Sequence, residues 1–260
     1  MMKAQRKHHL LRNLGIALGS VVLLVTVWWQ ICLQPLRKLS VPQHDVPTLF
    51  IPGYLGNWIS LGPMVHRLNH YDIAKEAMVV HIAKDNHITI KQEHAFKDNP
   101  NILVLFQDNT DVAKQAYQLG LLNEKLYRDY HVRQINLVGH SAGGNIVLRY
   151  LITKHSRPVP QPLKFVNFAD DYSRREDAET ARLPHNLKVL TVAGEIWHTG
   201  TDGEIPLKAA LAFSKVLKPH VAAVKTVVFH GGPLRTYHSC LHQNPAVDCV
   251  IARFLYDNGN

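Results

Sequence analysis

The sequence predicts an α/β domain, a mostly parallel central sheet with helices on both faces, carried behind one membrane-crossing helix. Three observations point there. From Thr48 to Leu255, apolar runs of strand length alternate with runs at helical spacing, the pattern of parallel strands joined by crossover helices. In the middle of that alternation, the short strand Ile135-Asn136-Leu137-Val138 runs straight into Gly139-His140-Ser141-Ala142-Gly143, followed by the apolar helix that begins at Ile146. Finally, no charged residue occurs between Arg12 and Arg37, a gap of about 24 residues, whereas a helix needs about 20 to cross the hydrocarbon core.

The N-terminal elements follow from charge. Of the formal net charge of +9, residues 1–40 contribute six cations (Lys3, Arg6, Lys7, Arg12, Arg37 and Lys38) and no acid. The remainder is only weakly basic, so the charge belongs to the N-terminus and a nucleic-acid partner loses its support. The reading is a basic cytoplasmic tail (1–12), a transmembrane signal anchor (13–36), a linker with Pro42 (37–46) and a globular domain (47–260). Trp28 and Trp29 lie towards the far end of the apolar run, where interfacial aromatics belong. No small-x-small cleavage site follows, so an uncleaved anchor is expected over a removed signal peptide. Positive charge ahead of the anchor puts the tail in the cytoplasm and the domain on the extracellular side of the cell membrane.

Within the domain, Thr48-Leu49-Phe50-Ile51 is the first strand, and Pro52-Gly53-Tyr54-Leu55-Gly56-Asn57 is the loop after it. Leu61, Met64, Val65 and Leu68 share one helical face. Residues 77–83 and 88–90 flank a turn and read as a hairpin or neighbouring strands. Residues 101–106 form another strand, and Asp108, Asn109 or Thr110 caps the helix carrying Val112, Ala116, Leu119, Leu122 and Leu126. After the central strand and helix, 158–162 reads as a loop, 163–168 as a strand, and 169–184 as a polar interval too short for a large lid. Residues 187–193 form the next strand. Pro206 opens a helix through Leu217, 222–229 is the last strand, and Asn244-Pro245 starts the final helix.

The chemistry centres on Ser141. A serine between a strand and a helix in G-x-S-x-G sits on a turn so sharp that its backbone is strained, and side chains at Gly139 or Gly143 would strike the neighbouring elements. The turn lifts the hydroxyl clear of the sheet and places the Ala142 N–H at a helix N-terminus, facing a developing oxyanion. A second oxyanion N–H is expected from the loop after the first strand; Gly53 permits close approach there and Tyr54 is the candidate donor. A serine hydroxyl needs an imidazole to take its proton and a carboxylate to orient that imidazole. The acid is expected after the next-to-last strand, at Asp202, with Glu195 and Asp170 or Asp171 as competitors. The base is expected after the last strand, at His238, with His230 and His242 as competitors. His140 stands beside the nucleophile and is not read as a base.

Pro52-Gly53-Tyr54, Gly139-His140-Ser141-Ala142-Gly143-Gly144, Thr201-Asp202-Gly203-Glu204-Ile205-Pro206 and the run from His238 to Asn244 together resemble a family of α/β-hydrolases of unassigned function, anchored to or exported from Gram-positive bacteria. The resemblance spans roughly Pro47 to Leu255. It implies an α/β-hydrolase fold with a minimal lid and with Ser141, Asp202 and His238 at the catalytic positions, and it implies no substrate. The sequence departs from the pattern at Pro52, where many relatives have His. The functional expectation is a membrane-anchored serine hydrolase acting on a small-molecule or lipid acyl substrate, most plainly a carboxylic ester, without cofactor or metal. A non-catalytic surface binding protein and an acyltransferase or peptidase are the alternatives. Cys240 and Cys249 either pair as a disulfide or remain separate thiols.

Overall fold

The structure, a computed structural model, describes residues 2–170 and 179–257. Asp171 and half of the interval 169–184, expected to serve as a minimal lid, lie outside the described residues. The chain order is α1 (Met2–Arg37), β1 (Thr48–Ile51), α2 (Trp58–His70), β2 (Lys75–Ile82), β3 (Ile88–Gln92), β4 (Pro100–Phe106), α3 (Val112–Asp129), β5 (Gln134–His140), α4 (Ala142–Ile152), β6 (Gln161–Phe168), β7 (Lys188–Ile196), α5 (Leu207–Leu217), β8 (Ala223–Gly231), the short turns α6 (Pro233–Thr236) and α7 (His238–Leu241), and α8 (Pro245–Tyr256).

Among the described residues the sheet has eight strands in the order β3-β2-β4-β1-β5-β6-β7-β8. Every pairing is parallel except the β2–β3 hairpin at one edge. Alternate residues of each strand point to opposite faces. Leu49, Ile51, Leu137 and Val189 meet the buried stripes of α3, α4 and α5 on one face. Phe50, Val138, Val166 and Val192 meet α2 and α8 on the other. Both faces are thus covered, which a parallel sheet requires.

Several boundaries differ from the sequence reading. The cap of α3 is Asp111, whose carboxylate accepts from the Lys114 N–H at 3.0 Å, one residue beyond the expected candidates. Gln161 and Pro162 belong to β6, paired with Gln134 and Ile135, rather than to a loop. All three cysteines are free thiols, Cys249 buried in α8 and Cys240 half-buried in α7.

The segment expected to be a free linker is docked on the domain. Leu33, Leu36 and Val41 are buried in the same core layer as α2 and α8. Beyond them, the Asn99 N–H donates to the His44 carbonyl at 2.7 Å, the His44 N–H donates to Asn99 Oδ1 at 2.9 Å, and Asn99 Nδ2 donates to the Pro42 carbonyl at 2.9 Å. Apolar residues three apart on the last turns of α1 find an apolar partner in α8, and this helix ends inside the fold. Further towards the N-terminus α1 stays bare: Leu14, Leu18, Leu23 and Leu24 are all exposed. The stretch Leu11–Arg37 is long and apolar enough to cross a membrane.

One buried ion pair ties the layer behind the site together. The Arg67 guanidinium of α2 donates to both carboxylate oxygens of Asp248 in α8, at 2.6 and 3.1 Å, and to the His242 carbonyl at 3.0 Å. Asp248 is wholly buried, and burial pushes its carboxyl up to about 6 against the pull of Arg67. Removing one partner leaves an uncompensated charge in the core. Arg67→Ala is expected to lower the unfolding free energy by about 3–5 kcal/mol, read by urea unfolding of the full chain in detergent. The paired replacement Arg67→Met with Asp248→Leu is expected to recover most of that loss.

Candidate active site

The turn between β5 and α4 has the strain its sequence requires. Ser141 has φ 54° and ψ −135°, well outside the regions ordinary residues prefer. Its N–H donates to the Phe168 carbonyl of β6 at 3.0 Å, and its carbonyl accepts from Gly144 at 2.8 Å. Its hydroxyl makes no capping bond to α4.

The glycines are there because other backbones occupy the space a side chain would need. A Cβ on Gly139 would stand 2.5 Å from the Gly143 carbonyl oxygen, and one on Gly143 would stand 2.3 Å from that of Ile51. A Cβ on Gly53 would meet the His140 carbonyl oxygen at 2.7 Å and the Ser141 Cβ at 2.8 Å, with the Ala142 nitrogen at 3.2 Å. The loop after β1 therefore lies directly against the serine turn. Ala142, the first residue of α4, has no intrahelical acceptor for its N–H. In the facing loop, Leu55 N–H bonds to Asn109 and Gly56 N–H to Gly53, and the Tyr54 N–H takes part in neither turn bond.

The strand ends of β7 and β8 supply the other two groups. His238 Nδ1 lies 3.0 Å from Asp202 Oδ2, and both side chains are almost fully buried. The other Asp202 oxygen accepts N–H bonds from Glu204 at 3.0 Å and Ile205 at 2.7 Å, so the carboxylate is fixed from behind. A backbone bond from His238 N–H to the Asp202 carbonyl, 2.9 Å, locks the two loops in register. The His238 ring packs at a tilt against that of His140, the residue before the serine, with centroids 4.9 Å apart. Among the described residues no hydrogen bond joins Ser141 Oγ to this imidazole. Nε2 of His238 instead faces Glu204 Oε2 at 3.7 Å, and Tyr237 donates to the other Glu204 oxygen at 2.9 Å.

The competing residues are engaged elsewhere. Glu195 lies 2.6 Å from His230, and Asp170 accepts from Asn145 at 2.7 Å behind α4. The His242 ring packs edge-on against His140 at 4.7 Å, and its Nδ1 lies 2.9 Å from the Gln243 amide. Sequence reasoning gave no role to Glu204, although it stands two residues beyond Asp202 in the motif, a spacing that brings both carboxylates to one loop. It also gave no hint of the His140–His242 stack, which joins residues about 100 positions apart.

The chain matches, over residues 37–182 and 169–258, the family described as "alpha/beta hydrolase of unknown function (DUF915)". No curated protein matches it. Among solved structures, a gene product of Listeria innocua superposes with a TM-score of 0.76 at 22% identity, covering 84% of this chain and 96% of that one. A Lactobacillus plantarum protein called a cell surface hydrolase gives 0.68 at 22% identity, covering 81% and 91%. A thermostable carboxyl esterase of Bacillus coagulans gives 0.50 at 10% identity, covering 84% and 90%. At these identities the likeness is one of fold.

The histidine stack makes stability depend on pH. Burial, reinforced by neighbouring His238, holds His242 down to about 4, and burial holds His140 well below its ordinary value. An unfolded chain binds protons at both rings near pH 6.5, whereas in the native chain His242 binds one only nearer pH 4 and His140 only well below its ordinary value, so their contribution to stability is complete above about 6.5 and is lost as pH falls from there. Asp248, with its carboxyl raised to about 6, works in the opposite direction below that pH. Unfolding free energy is expected to fall between pH 7 and pH 4, and to fall less steeply in His242→Phe, which keeps the ring and removes one titration. Denaturant midpoints across that pH range check it.

Proposed function

The chain belongs to this alpha/beta hydrolase family, and we propose that it is a membrane-anchored serine hydrolase that cleaves an acyl bond, most plainly a carboxylic ester, through a covalent acyl-enzyme. The observation that carries this reading is the 3.0 Å bond between His238 Nδ1 and a buried Asp202 carboxylate, on a ring that packs against His140 beside the strained turn of Ser141. In the proposed reaction Ser141 Oγ attacks the acyl carbonyl while Nε2 of His238 takes its proton. Asp202 holds the Nδ1–H tautomer and stabilises the imidazolium. The N–H groups of Ala142 and Tyr54 receive the oxyanion. Collapse passes the proton from His238 to the leaving alkoxide, and water then reverses the sequence to free the acid and Ser141. Nε2 must turn from Glu204 towards Ser141 for the first step, and such bonds commonly tighten only when substrate is bound.

The placement is part of the same proposal. α1 crosses the membrane with its basic tail in the cytoplasm, and the catalytic domain faces outward, in keeping with the six cations and no acid in the first 40 residues.

A fluorophosphonate probe on the full chain in detergent tests the mechanism. Wild type is expected to label and Ser141→Ala to remain blank; an unlabelled, well-folded wild type would shift the reading to a binding protein. With p-nitrophenyl esters, Asp202→Asn is expected to lower kcat by about 10⁴-fold. Gly53→Ala, which forces the oxyanion loop away from Ser141, is expected to lower kcat by about 10²–10³-fold, the loss typical of one oxyanion donor.

A further inference from the structure

At the carboxyl end of the last two strands, outside the Ser141 site, the structure assembles two imidazoles and a carboxylate. Glu195, the next-to-last residue of β7, is nearly buried. Its Oε1 accepts the Gly200 N–H at 2.9 Å. Its Oε2 lies 2.6 Å from His230 Nδ1 and 3.7 Å from His198 Nδ1. One donor atom from each of the three residues falls within 4.8 Å of the other two.

We propose that Glu195, His198 and His230 form a binding site for a zinc-class divalent cation. Such ions take imidazole nitrogen and carboxylate oxygen at about 2.0–2.2 Å. Tetrahedral coordination then sets the donor atoms about 3.4 Å apart. The distances from Glu195 Oε2 to the two imidazole nitrogens, 2.6 and 3.7 Å, straddle that spacing. The imidazoles reach solvent, with His198 80% and His230 48% exposed, so a cation enters without opening the fold. Three protein ligands leave a fourth position for water or a further ligand.

A plain hydrogen bond between Glu195 and His230 accounts for two of the residues and leaves the third unexplained. At 3.7 Å His198 is too far for a hydrogen bond to the carboxylate, yet the backbone is strained to bring it there. Trp197 and His198 have φ 43° and 62°, two successive side-chain-bearing residues in the left-handed region that glycine fills at no steric cost. Bonds from Ile196 N–H to Thr201, Trp197 N–H to Gly231 and Thr199 N–H to Ile196 hold this turn closed. The result lays the His198 ring over that of His230, stacked at 5.2 Å. Strain of this kind, bringing a side chain to converge with two others, is found where a site needs it.

The position gives the cation a role. His198 lies four residues before Asp202, on the loop that delivers it. His230 is the next-to-last residue of β8, whose continuation through α6 delivers His238. A bound ion ties these two loops together on the outer side of the Asp202–His238 bond. The site itself is independent of the serine mechanism and stands or falls by metal binding.

The test uses the full chain in detergent, stripped with a chelator and titrated with Co²⁺ and with Zn²⁺, beside His198→Ala and His230→Gln. Wild type is expected to bind one equivalent of Co²⁺ with visible d–d bands that Zn²⁺ displaces, and its thermal midpoint is expected to rise with Zn²⁺. Each variant is expected to lose more affinity than the roughly 10–100-fold that an outer-shell partner costs. His198 is exposed, and unchanged circular dichroism and an unchanged metal-free midpoint establish that His198→Ala is folded. The chain has 17 histidines, so binding at other surface positions is separated by the variants. Wild type without saturable one-equivalent binding, or with binding unchanged in folded His198→Ala, overturns the proposal.

Discussion

The close approach of three backbones around Ser141 constrains everything else in the molecule. β1, its following loop and the β5–α4 turn meet at distances that no side chain survives, and the core on both sides of the sheet is arranged to hold them there. A serine at φ 54° is unfavourable in isolation by about 1–3 kcal/mol. It persists because Phe168 of β6 captures its N–H, and because α4 is packed along a fully buried stripe against α3 and the sheet. Strain in the turn and burial in the helix are therefore two sides of one arrangement.

The second half of the site relies on hydrogen bonding between loops, with less steric enforcement. Asp202 and His238 come from different strand ends, and their side-chain bond is doubled by a backbone bond between the same two residues. That pairing holds Nδ1 of the imidazole against a carboxylate that has little freedom of its own, since the Glu204 and Ile205 N–H groups occupy its other oxygen. Glu204 then has two parts to play. Its N–H steadies Asp202, while its side chain, held by Tyr237, lies opposite the far nitrogen of His238. The imidazole thus has a carboxylate towards each nitrogen.

Much of the fold was legible in the sequence, for physical reasons. Strands buried on both faces must be continuously apolar, which made β4 and β5 plain. Amphipathic helices betray themselves by spacing, as in α2 and α3. The serine turn was readable because glycine is obligatory where backbones touch. For the acid and the base, the loops could be named but their partners could not: Glu195 lies at the end of β7 and Asp202 in the loop beyond it, and only three-dimensional placement sends Asp202 to His238 and Glu195 to His230. Contacts between residues distant in the chain left no local trace. Arg67 with Asp248, and His140 with His242, read simply as charges and histidines among many. The docked end of α1 was hidden for another reason. An apolar residue in a membrane helix and one in a protein core look alike, so Leu33 and Leu36 were counted with the span.

That docking has a mechanical corollary. A domain on a slack tether would sample many heights and tilts relative to its N-terminal helix. Here Leu33, Leu36 and Trp29 lie against the layer formed with α8, so the head and its stalk form one lever. Ser141 is carried at a set elevation and bearing with respect to the helix axis, and reach becomes a matter of geometry. The same continuity means that a version trimmed at the end of the apolar run would lose part of its own core along with its stalk, baring a greasy strip along Val250 and Phe254.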